Sequence, residues 1–446
     1  MSVQSIGVIG GGIGGLAASW LLDQRYRVTL LERNGYVGGH THTVMVDDPR
    51  GAFPVDTGFM VFNRRNYPLL CGLFDHLGVE SYATEMSFAA SLDGGRLEYA
   101  GSDFNGLFGQ RRNLLNPGFL RMLADVLRFN GAAKAFLERR TGSTLSLGDF
   151  LERGRYGERF VNHYLLPMAA AIWSSPTERM RDFPFSSFAR FFNNHGLLDL
   201  SDRPQWQTVR GGSQAYVQRM LAQLRATVRT DTAATRVRRL ADGVEVETAA
   251  GERMHFDAVV LGCHGDEALR LIESPTRQEQ DILGTFHGQP NRVYLHEDAS
   301  LMPKRRRVWS SWNYLRGANS PPDAPVTVTY WMNKLQDLPH GRNLFVSLNP
   351  LTLPRPGTIL RDMEYRHPLF DCAAIAAQGR IAEIQGRDRL WFSGAWLGFG
   401  FHEDGLRAAA DVASGLGVRV PWLASAAGAS RQTAHAPSAL PRPASS

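Results

Sequence analysis

The chain has 446 residues, 43% of them hydrophobic, which suffices for the cores of two or three globular domains. Its net charge of +6 is mild for this length, and no recognised nucleic-acid-binding motif accompanies it, so we expect no nucleic-acid partner. The three cysteines, Cys71, Cys263 and Cys372, have no paired spacing. This pattern argues against a disulfide framework and against a metal site, and it fits a reducing cytoplasm.

An uncharged, glycine-rich stretch opens the chain. Residues 1–22 contain no charged side chain, and a segment of that length could cross a bilayer or form a signal peptide. Six glycines between Gly7 and Gly15 make a lone membrane helix unfavourable, because glycine is a poor helix former. No positive charge precedes the apolar run, and no small-residue cleavage site follows it, as a signal peptide requires. We therefore interpret the stretch as part of a cofactor site.

The first 32 residues have the pattern of a strand, a glycine turn, a helix and a second strand. Gly10, Gly12 and Gly15 form a G-x-G-x-x-G motif just before and within the predicted helix, 13–24. Such glycines permit a tight turn, a close approach of the backbone to a pyrophosphate, and close packing of the helix on the strand. Glu32 ends the second strand, where an acid binds a ribose hydroxyl. The spacing predicts a dinucleotide site, with a purely structural glycine turn as the alternative.

Strand-and-helix segments alternate with aromatic blocks along the rest of the chain. The first segment includes a Gly38-Gly39 pair and a strand near Val55, and the last, near its end, has a strand, a glycine-rich loop and a helix within 389–416. We predict an α/β fold in which a Rossmann-like cofactor domain is interleaved with a mixed α+β substrate domain. The predicted cofactor domain comprises 1–63, 205–283 and 386–421, the substrate domain comprises 64–204 and 284–385, and the tail 422–446 is expected to be disordered.

Basic residues concentrate in one predicted helix and in one short run. Between residues 107 and 140 the chain has seven basic and two acidic side chains, and a helical wheel places Phe119, Leu123, Val126 and Leu127 opposite the arginines. This pattern is typical of an ordinary surface helix or of a surface that contacts anionic lipid headgroups. The PKRRR run at 303–307 has the same two interpretations, a solvated loop or a headgroup contact.

Five ordered motifs make the chain resemble the FAD-dependent amine oxidase and phytoene desaturase superfamily. They are the N-terminal glycine motif, Glu32-Arg33 followed by Gly38-Gly39, "GGSQAYVQRM", the β segments ending in "FDAVVLGCH", and "GFGFHEDGLRAAA". The chain is more similar still to a bacterial branch described as predicted NAD/FAD-binding flavoproteins, through "AAIWSSP", "FFNNHGLL", "LMPKRRRVWSSWNY", "HPLFD" and "FHEDG". Members of that branch often occur beside cyclopropane fatty acid synthases. The branch is similar to flavin enzymes that dehydrogenate methyl-branched fatty acyl chains on the route to furan fatty acids.

The resemblance implies an FAD-binding fold of the amine oxidase type, with FAD as cofactor. It implies that Glu32 holds the adenosine ribose, that Val237 contacts the adenine through its backbone, and that a helix beginning near Phe401 points its N-terminus at the flavin. The full implied set is Gly10, Gly12, Ile13, Gly14, Gly15, Glu32, Arg33, Gly38, Gly39, His40, Thr41, Gly58, Phe59, Met60, Val61, Val237, Gly394, Ala395, Phe401, His402 and Gly405. Two positions depart from the family pattern: His40 replaces an arginine, and Ala395 replaces an acid after Gly394.

The resemblance also implies an activity. We expect an FAD-dependent oxidoreductase that dehydrogenates a hydrophobic substrate, such as a methyl-branched or unsaturated fatty acyl chain of a phospholipid, in the cytoplasm or at the inner membrane face. A flavin amine oxidase and a non-catalytic, flavin-bound protein that presents lipid are the alternatives. His402 is the first candidate base, with His195 and His287 as others. The candidate pocket walls, for which core packing is the alternative, are Trp173, Phe183, Phe185, Phe188, Phe191 and Phe192.

Overall fold

The computed structural model describes residues 3–139, 145–199, 203–321 and 323–426. Within them, a parallel sheet of five strands draws on three distant segments of the chain. Its spatial order is Thr227–Arg229, Arg27–Leu31, Ser5–Ile9, Ala258–Leu261 and Leu390–Phe392. These strands come from all three segments assigned to the cofactor domain, although the residue boundaries of that domain stay a prediction. The three central strands are mostly apolar, as expected for a parallel sheet covered on both faces.

Two helices begin at the carboxyl edge of this sheet and pack on one another. The helix Ile13–Leu22 follows the first strand, and His402–Gly415 comes after the last strand and a glycine-rich loop. A Cβ added at Gly405 would lie 2.7 Å from Ile13 Cγ2, so only glycine permits this approach. All ten side chains of Ile13–Leu22 are buried. The uncharged N-terminal stretch is therefore a strand, a turn and a core helix, and none of the described helices is long and apolar enough to cross a bilayer.

A large mixed sheet forms the second half of the molecule. Its described strands, in spatial order, are Ile359–Leu369, His287–His296, Phe345–Leu348, Thr327–Trp331, Trp312–Leu315, Phe88–Leu92 and Leu97–Ala100. The parallel pairing of Trp312–Leu315 with Phe88–Leu92 joins residues from both segments assigned to the substrate domain. The other described strands form three smaller sheets. One consists of Ala234–Arg239, Val244–Thr248 and Arg253–Phe256, and a second consists of Thr43–Val46 and Phe53–Asp56. The third consists of Phe62–Asn63, Trp206–Val209 and Ser81–Thr84.

A helical layer with an aromatic core packs on this mixed sheet. Phe129 lies at its centre, with the Phe150, Tyr156 and Phe160 rings within 6 Å, and its ring centroid lies 6.2 Å from that of Phe185. The helices of the layer are Pro117–Glu138, Leu147–Arg153, Glu158–Phe160, Leu166–Trp173 and Phe185–Asn194, with a π-helical turn at Val161–Leu165. The other described helices are Pro68–Leu77, Phe104–Leu107, Gln214–Gln223, Gly265–Leu271, Arg277–Leu283, Met332–Leu335, Cys372–Gln378 and Pro421–Ala426.

Two sequence expectations are corrected by the fold. In the basic helix, Phe119 and Val126 are buried as predicted, but Leu127 is 56% exposed, because the buried stripe instead continues through Phe129. The sequence predicted a disordered tail from residue 422 onwards, but the structure has a helix at Pro421–Ala426. Trp422 is buried there against Trp20, with the two ring centroids 5.9 Å apart. Residues 427–446 lie outside the described part of the chain.

Candidate cofactor and active site

A cavity of about 1140 Å³ lies between the parallel sheet and the mixed sheet. Pockets for single small ligands span about 300–1,000 Å³, so this one has room for more than one small molecule. We call its two ends the glycine arm and the aromatic arm. The glycine arm is lined by Gly10–Gly14, Leu31–Asn34, Thr232–Ala234 and Gly262–His264, and the aromatic arm by Phe88, Tyr99, Tyr164, Met168, Ile172, Trp173, Phe191, His195, Leu197, Trp206, Trp312, Tyr330, Phe370, Phe399 and Phe401.

Gly12 gives the glycine arm an open backbone surface. Its dihedral angles, φ −68° and ψ 177°, are accessible to any residue, so conformation does not require glycine here. A Cβ at this position would have no atom within 4 Å and would project into open space. The helix that starts at Ile13 has no side-chain cap, so its first N–H groups are available to a ligand. An anionic group such as a diphosphate fits this cradle, since helix N-termini favour negative charge.

Glu32 is held at the edge of the glycine arm by backbone donors. Its Oε2 accepts a hydrogen bond from the Gly11 N–H at 2.7 Å, and its Oε1 accepts from the Asn34 N–H at 2.8 Å. The Asn34 side-chain amide also donates to Oε1 at 2.8 Å. A carboxylate has about four acceptor positions, so the buried side chain keeps capacity for one ribose hydroxyl. The neighbouring Arg33 also lines the cavity, but its guanidinium forms an exposed ion pair with Glu267.

His40 joins the two arms and carries an unsatisfied nitrogen. Its Nε2 is buried and has no hydrogen-bond partner among the described residues. Its ring lies 5.0 Å from the Tyr365 ring and 5.1 Å from the His367 ring. Burial holds the pKa of His40 well below its usual range, and nearby His367 and His264 lower it further, so the ring is neutral. A neutral imidazole therefore stands where the family usually has arginine, and its free nitrogen fits a hydrogen bond to a bound cofactor.

Both acids in the first turn of His402–Gly415 fix the loops around the cavity. The Asp404 carboxylate accepts hydrogen bonds from the Phe399 and Phe401 N–H groups, each at 3.0 Å. Glu403 accepts from the Leu69 and Leu70 N–H groups and so caps the helix Pro68–Leu77. Both carboxylates thus have structural partners, which accounts for their position without a redox role.

His402 is the first candidate base from the sequence, and its nitrogen is engaged within the protein. Its Nε2 lies 2.9 Å from Thr41 Oγ1 and 3.1 Å from the Tyr216 hydroxyl, and its ring stacks on Phe59 with centroids 3.7 Å apart. Burial lowers the pKa of His402 to about 3. This network positions the ring at the cavity wall but leaves Nε2 committed to Thr41 and Tyr216. The geometry therefore favours a positioning role over that of a base.

Most residues implied by the family resemblance do line one cavity. Those that line it are Gly10, Gly12, Ile13, Gly14, Glu32, Arg33, Gly38, Gly39, His40, Gly58, Phe59, Met60, Val61, Gly394, Ala395, Phe401 and His402. Gly15 and Gly405 instead serve close packing, and Thr41 belongs to the His402 network. The contact of each of these residues with a cofactor stays a prediction.

Val237, which the resemblance implied as a backbone contact of the adenine, lies away from the cavity. The side chain is fully buried in a hydrophobic cluster, and its carbonyl accepts a hydrogen bond from the Glu273 N–H, so it does not reach the cavity. Thr232, Ala233 and Ala234, a few residues earlier, line the glycine arm instead. The strand Ala234–Arg239 meets the cavity with its first residue rather than its centre, which residue type alone did not reveal.

The aromatic arm contains only part of the predicted wall. Trp173 and Phe191 line it, whereas Phe183, Phe185, Phe188 and Phe192 are buried in the aromatic core of the helical layer, in agreement with the packing alternative. Glu85 and Lys334 also line the cavity, and these partly exposed side chains form an ion pair at 2.8 Å. Sequence reasoning missed Tyr99, Tyr164 and Phe370, because nothing in their local pattern distinguishes them from core residues.

His195 lines the aromatic arm, and its geometry shows which of its two ring nitrogens carries the proton. Its Nδ1 is 2.9 Å from the Phe191 carbonyl oxygen, which can only accept, so Nδ1 carries the proton. In the neutral ring, Nε2 is then an acceptor. Burial lowers the pKa of His195 to about 4, which keeps the ring neutral. His287, the third candidate, is exposed at the start of its strand and does not line the cavity.

The sequence model of flavin-containing amine oxidoreductases matches residues 13–330, well over half of the chain. The chain belongs to this family. It is therefore an FAD-dependent oxidoreductase, and the predicted superfamily, α/β fold and FAD cofactor are confirmed. The glycine cradle, Glu32 and His40 are the residues that would hold the cofactor. No curated protein has a sequence that matches the chain.

Several solved structures share this flavin amine oxidoreductase fold at low sequence identity. A CLA-producing fatty acid isomerase from P. acnes is 15% identical, with 92% of this chain and 97% of that chain covered and a TM-score of 0.63. Putrescine oxidase bound to putrescine is 15% identical, with coverages of 93% and 99% and a TM-score of 0.66. Cyclohexylamine oxidase from Brevibacterium oxydans IH-35A is 16% identical, with coverages of 93% and 99% and a TM-score of 0.65.

Replacing Gly12 by valine tests the cradle. We expect Gly12→Val to weaken FAD binding by about 10- to 100-fold, from an overpacking cost of about 1–3 kcal/mol against the bound diphosphate. The apo protein should keep its free energy of unfolding, because the Cβ meets nothing within 4 Å. Gly131→Ala, an equally open helical position, is the control and should leave FAD affinity unchanged. Equal FAD affinities of Gly12→Val and wild type in an absorbance titration of the apo protein would refute the assignment.

Ionisation of Asp404 should make the free energy of unfolding depend on pH. Burial raises the pKa of Asp404 to about 6, so the folded protein keeps a proton that the unfolded chain releases near pH 4. The resulting stabilisation is present below pH 4 and is lost as pH rises through 6, by about 3 kcal/mol at most. Asp404→Asn keeps the oxygen acceptor but does not titrate. The urea unfolding free energy of wild type minus that of the variant should therefore fall between pH 4 and pH 7.

A matched control separates this effect from general acid sensitivity. Asp47 is exposed and forms no ion pair with another described residue, so its replacement by asparagine changes no buried group. Asp47→Asn should follow the wild-type profile. Parallel profiles for Asp404→Asn and wild type would show that the buried carboxyl is ionised throughout.

Proposed function

We propose that this flavin amine oxidoreductase dehydrogenates a hydrophobic substrate, such as a methyl-branched or unsaturated fatty acyl chain of a phospholipid. The observation that carries the proposal is the wall of the aromatic arm, which consists mainly of aromatic and aliphatic side chains. An apolar chain has no polar group to bind, so its free energy of binding comes from removing its surface from water. The printed description of one structural neighbour, a fatty acid isomerase, is compatible with such a substrate.

The protein's part in this reaction is to hold a C–H bond in a dry site. FAD, when bound, supplies the two-electron acceptor. The Phe191 ring contacts the rings of Phe399 and Phe401, and these contacts exclude water from one stretch of the arm. The Glu85–Lys334 ion pair neutralises two of the charges in the cavity lining.

Removal of two hydrogens from adjacent carbons also releases a proton, and His195 is suited to accept it. Its Nε2 is an acceptor, because Nδ1 donates to the Phe191 carbonyl. Its ring is stacked on Phe191 at 3.9 Å and lies 5.8 Å from the Phe401 ring, which fixes the side chain in the arm. A positioned base in contact with substrate typically contributes about 10²- to 10⁴-fold to a rate.

Amine oxidation is the second candidate function. Trp312 and Tyr330 lie opposite one another on paired strands, with nearly parallel rings 6.3 Å apart, and both line the arm. Such an aromatic pair can frame a small amine, and Glu85 can attract its positive charge. The ion pair between Glu85 and Lys334 opposes this function, since the carboxylate already has a cationic partner.

Anaerobic mixing of the FAD-loaded protein with candidate substrates separates these functions. We expect phospholipids with methyl-branched or unsaturated acyl chains to bleach the flavin absorbance, because dehydrogenation of the chain transfers two electrons to the flavin. Putrescine and cyclohexylamine serve as the amine panel and should leave the spectrum unchanged. Bleaching by amines alone would establish the second candidate. Bleaching by neither class would favour a flavin-bound protein that presents lipid without oxidising it.

Replacing His195 tests the base. His195→Asn keeps a donor to the Phe191 carbonyl but has no basic nitrogen, so the rate of flavin reduction should fall by about 10²- to 10⁴-fold with FAD content unchanged. The wild-type rate should stay constant from pH 8 to about 5 and fall near pH 4, where His195 becomes protonated. His287→Asn is the exposed control and should match wild type. A normal rate in His195→Asn with a slow His402→Asn would restore His402 as the base.

A further inference from the structure

Exposed apolar side chains concentrate on one segment of the surface. The part of the chain that the structure describes contains eleven large apolar side chains that are exposed, and five of them lie between residues 104 and 127. These five are Phe104, Leu114, Leu115, Leu120 and Leu127. A surface that gathers apolar side chains in this way is typical of an interaction site rather than of scattered exposure.

The five side chains belong to one continuous stretch of structure, which we call the 104–127 surface. The Phe104 ring lies 4.8 Å from Phe108, whose ring in turn lies 5.8 Å from Phe119 in the first turn of the basic helix. Leu120 and Leu127 are seven residues apart on that helix and so share one stripe. The short 3₁₀ turn Arg111–Leu115, with Leu115 at 88% exposure, connects the two parts.

The charge of this surface is positive and unpaired. No acidic residue occurs from Phe104 to Ala124. The side chains of Arg111, Arg112 and Arg121 are exposed, and none of them forms an ion pair with another described residue. Arg111 and Arg112 bond only to neutral oxygens. An anionic partner would therefore meet positive charge without displacing an internal carboxylate.

Some of the other basic groups that the sequence suggested for lipid contact have partners within the protein. Arg128 pairs with Asp125, and Lys134 pairs with Asp199. In the 303–307 run, Arg305 pairs with the buried Glu98, and the guanidinium of Arg306 lies over the Trp309 ring at 3.9 Å. The exposed Lys304 and Arg307 form no ion pair with another described residue, and Arg307 lies beside Gly109, so it adds to the free positive charge next to the exposed leucines.

The cavity reaches the surface beside Phe104. Gly101, Ser102 and Asp103 line the cavity and are exposed, and they immediately precede Phe104 in the chain. Tyr99, which also lines the aromatic arm, lies just before them. An apolar molecule that leaves the 104–127 surface at Phe104 would therefore enter the aromatic arm directly.

We propose that the 104–127 surface docks on an anionic phospholipid bilayer, with its leucines in the headgroup region and its arginines against lipid phosphates. This inference rests on the proposed function, since it explains how an acyl chain reaches the aromatic arm. Apolar side chains interspersed with free arginines match the interface of such a bilayer. Three free arginines favour an anionic over a neutral surface by about 100-fold in partitioning.

Flotation of the FAD-loaded protein with vesicles tests the docking surface. Vesicles of phosphatidylglycerol should bind the protein about 100-fold more tightly than vesicles of phosphatidylcholine, and added salt should weaken the binding. The double variant Leu115→Ser/Leu120→Ser should reduce binding by at least about tenfold, since it removes apolar surface from the interface. Leu351→Ser/Leu353→Ser is the matched control, because these leucines are 49% and 70% exposed elsewhere on the molecule, against 88% and 44% for the tested pair.

Each outcome decides the proposal. Failure of the wild type to bind phosphatidylglycerol vesicles overturns it, as does an equal loss in the control variant. Unchanged binding of Leu115→Ser/Leu120→Ser, with loss in Arg111→Gln/Arg112→Gln/Arg121→Gln, would overturn the placement of the leucines in the headgroup region and leave electrostatic attraction alone. Vesicle binding is measured without turnover, so the function proposed above can fail while docking stands. Flavin reduction by detergent-dispersed lipid in the leucine variant would conversely separate a loss of docking from a loss of catalysis.

Discussion

The close approach of two helices at the carboxyl edge of the parallel sheet determines the position of the whole site. Ser393 Oγ donates a hydrogen bond to the Gly14 carbonyl, which joins residues 379 positions apart in the chain. A Cβ at Gly14 would lie 3.1 Å from the Gly394 Cα, so any larger residue would push the C-terminal loop away. Because both helices begin at this contact, the glycine cradle and the loop held by Asp404 face a single cavity. The site is thus a consequence of backbone packing before any side chain contributes chemistry.

The second feature of the site is the burial of several titratable groups, which disfavours their charged forms. Burial lowers the pKa values of His195, His367 and His402, because a charged imidazole loses its hydration in such surroundings. Burial raises the pKa of Asp404 for the same reason. A neutral site suits an apolar substrate, since no buried charge must be paired when the substrate binds. It also means that a histidine in the cavity can act as an acceptor over most of the physiological pH range.

The sequence could not show which cavity histidine has a nitrogen free to accept a proton. His402 and His195 both lie near motifs, and nothing in the sequence distinguishes their nitrogens. In the structure, the Nε2 of His402 contacts two hydroxyl groups, whereas His195 donates through Nδ1 to a carbonyl. The same limit applies to Leu127, which follows the helical period but lies just beyond the buried stripe. Such distinctions depend on which neighbour stands opposite a side chain, and the neighbours come from distant parts of the chain.

By itself, the sequence determined the strand–turn–helix unit, because this unit depends on glycine spacing and local hydrophobic period, while the family and FAD followed from the resemblance carried by five ordered motifs. It also indicated which residues meet at the cofactor end, since Gly12, Glu32 and His40 lie within or next to short motifs. Only the tertiary structure decided that Ala234 rather than Val237 lines the glycine arm, that four of the six predicted wall aromatics are core, and that free arginines meet exposed leucines at the cavity mouth. The physical reason is that turn geometry is encoded over a few residues, whereas the burial and partners of a side chain are set by segments hundreds of residues away.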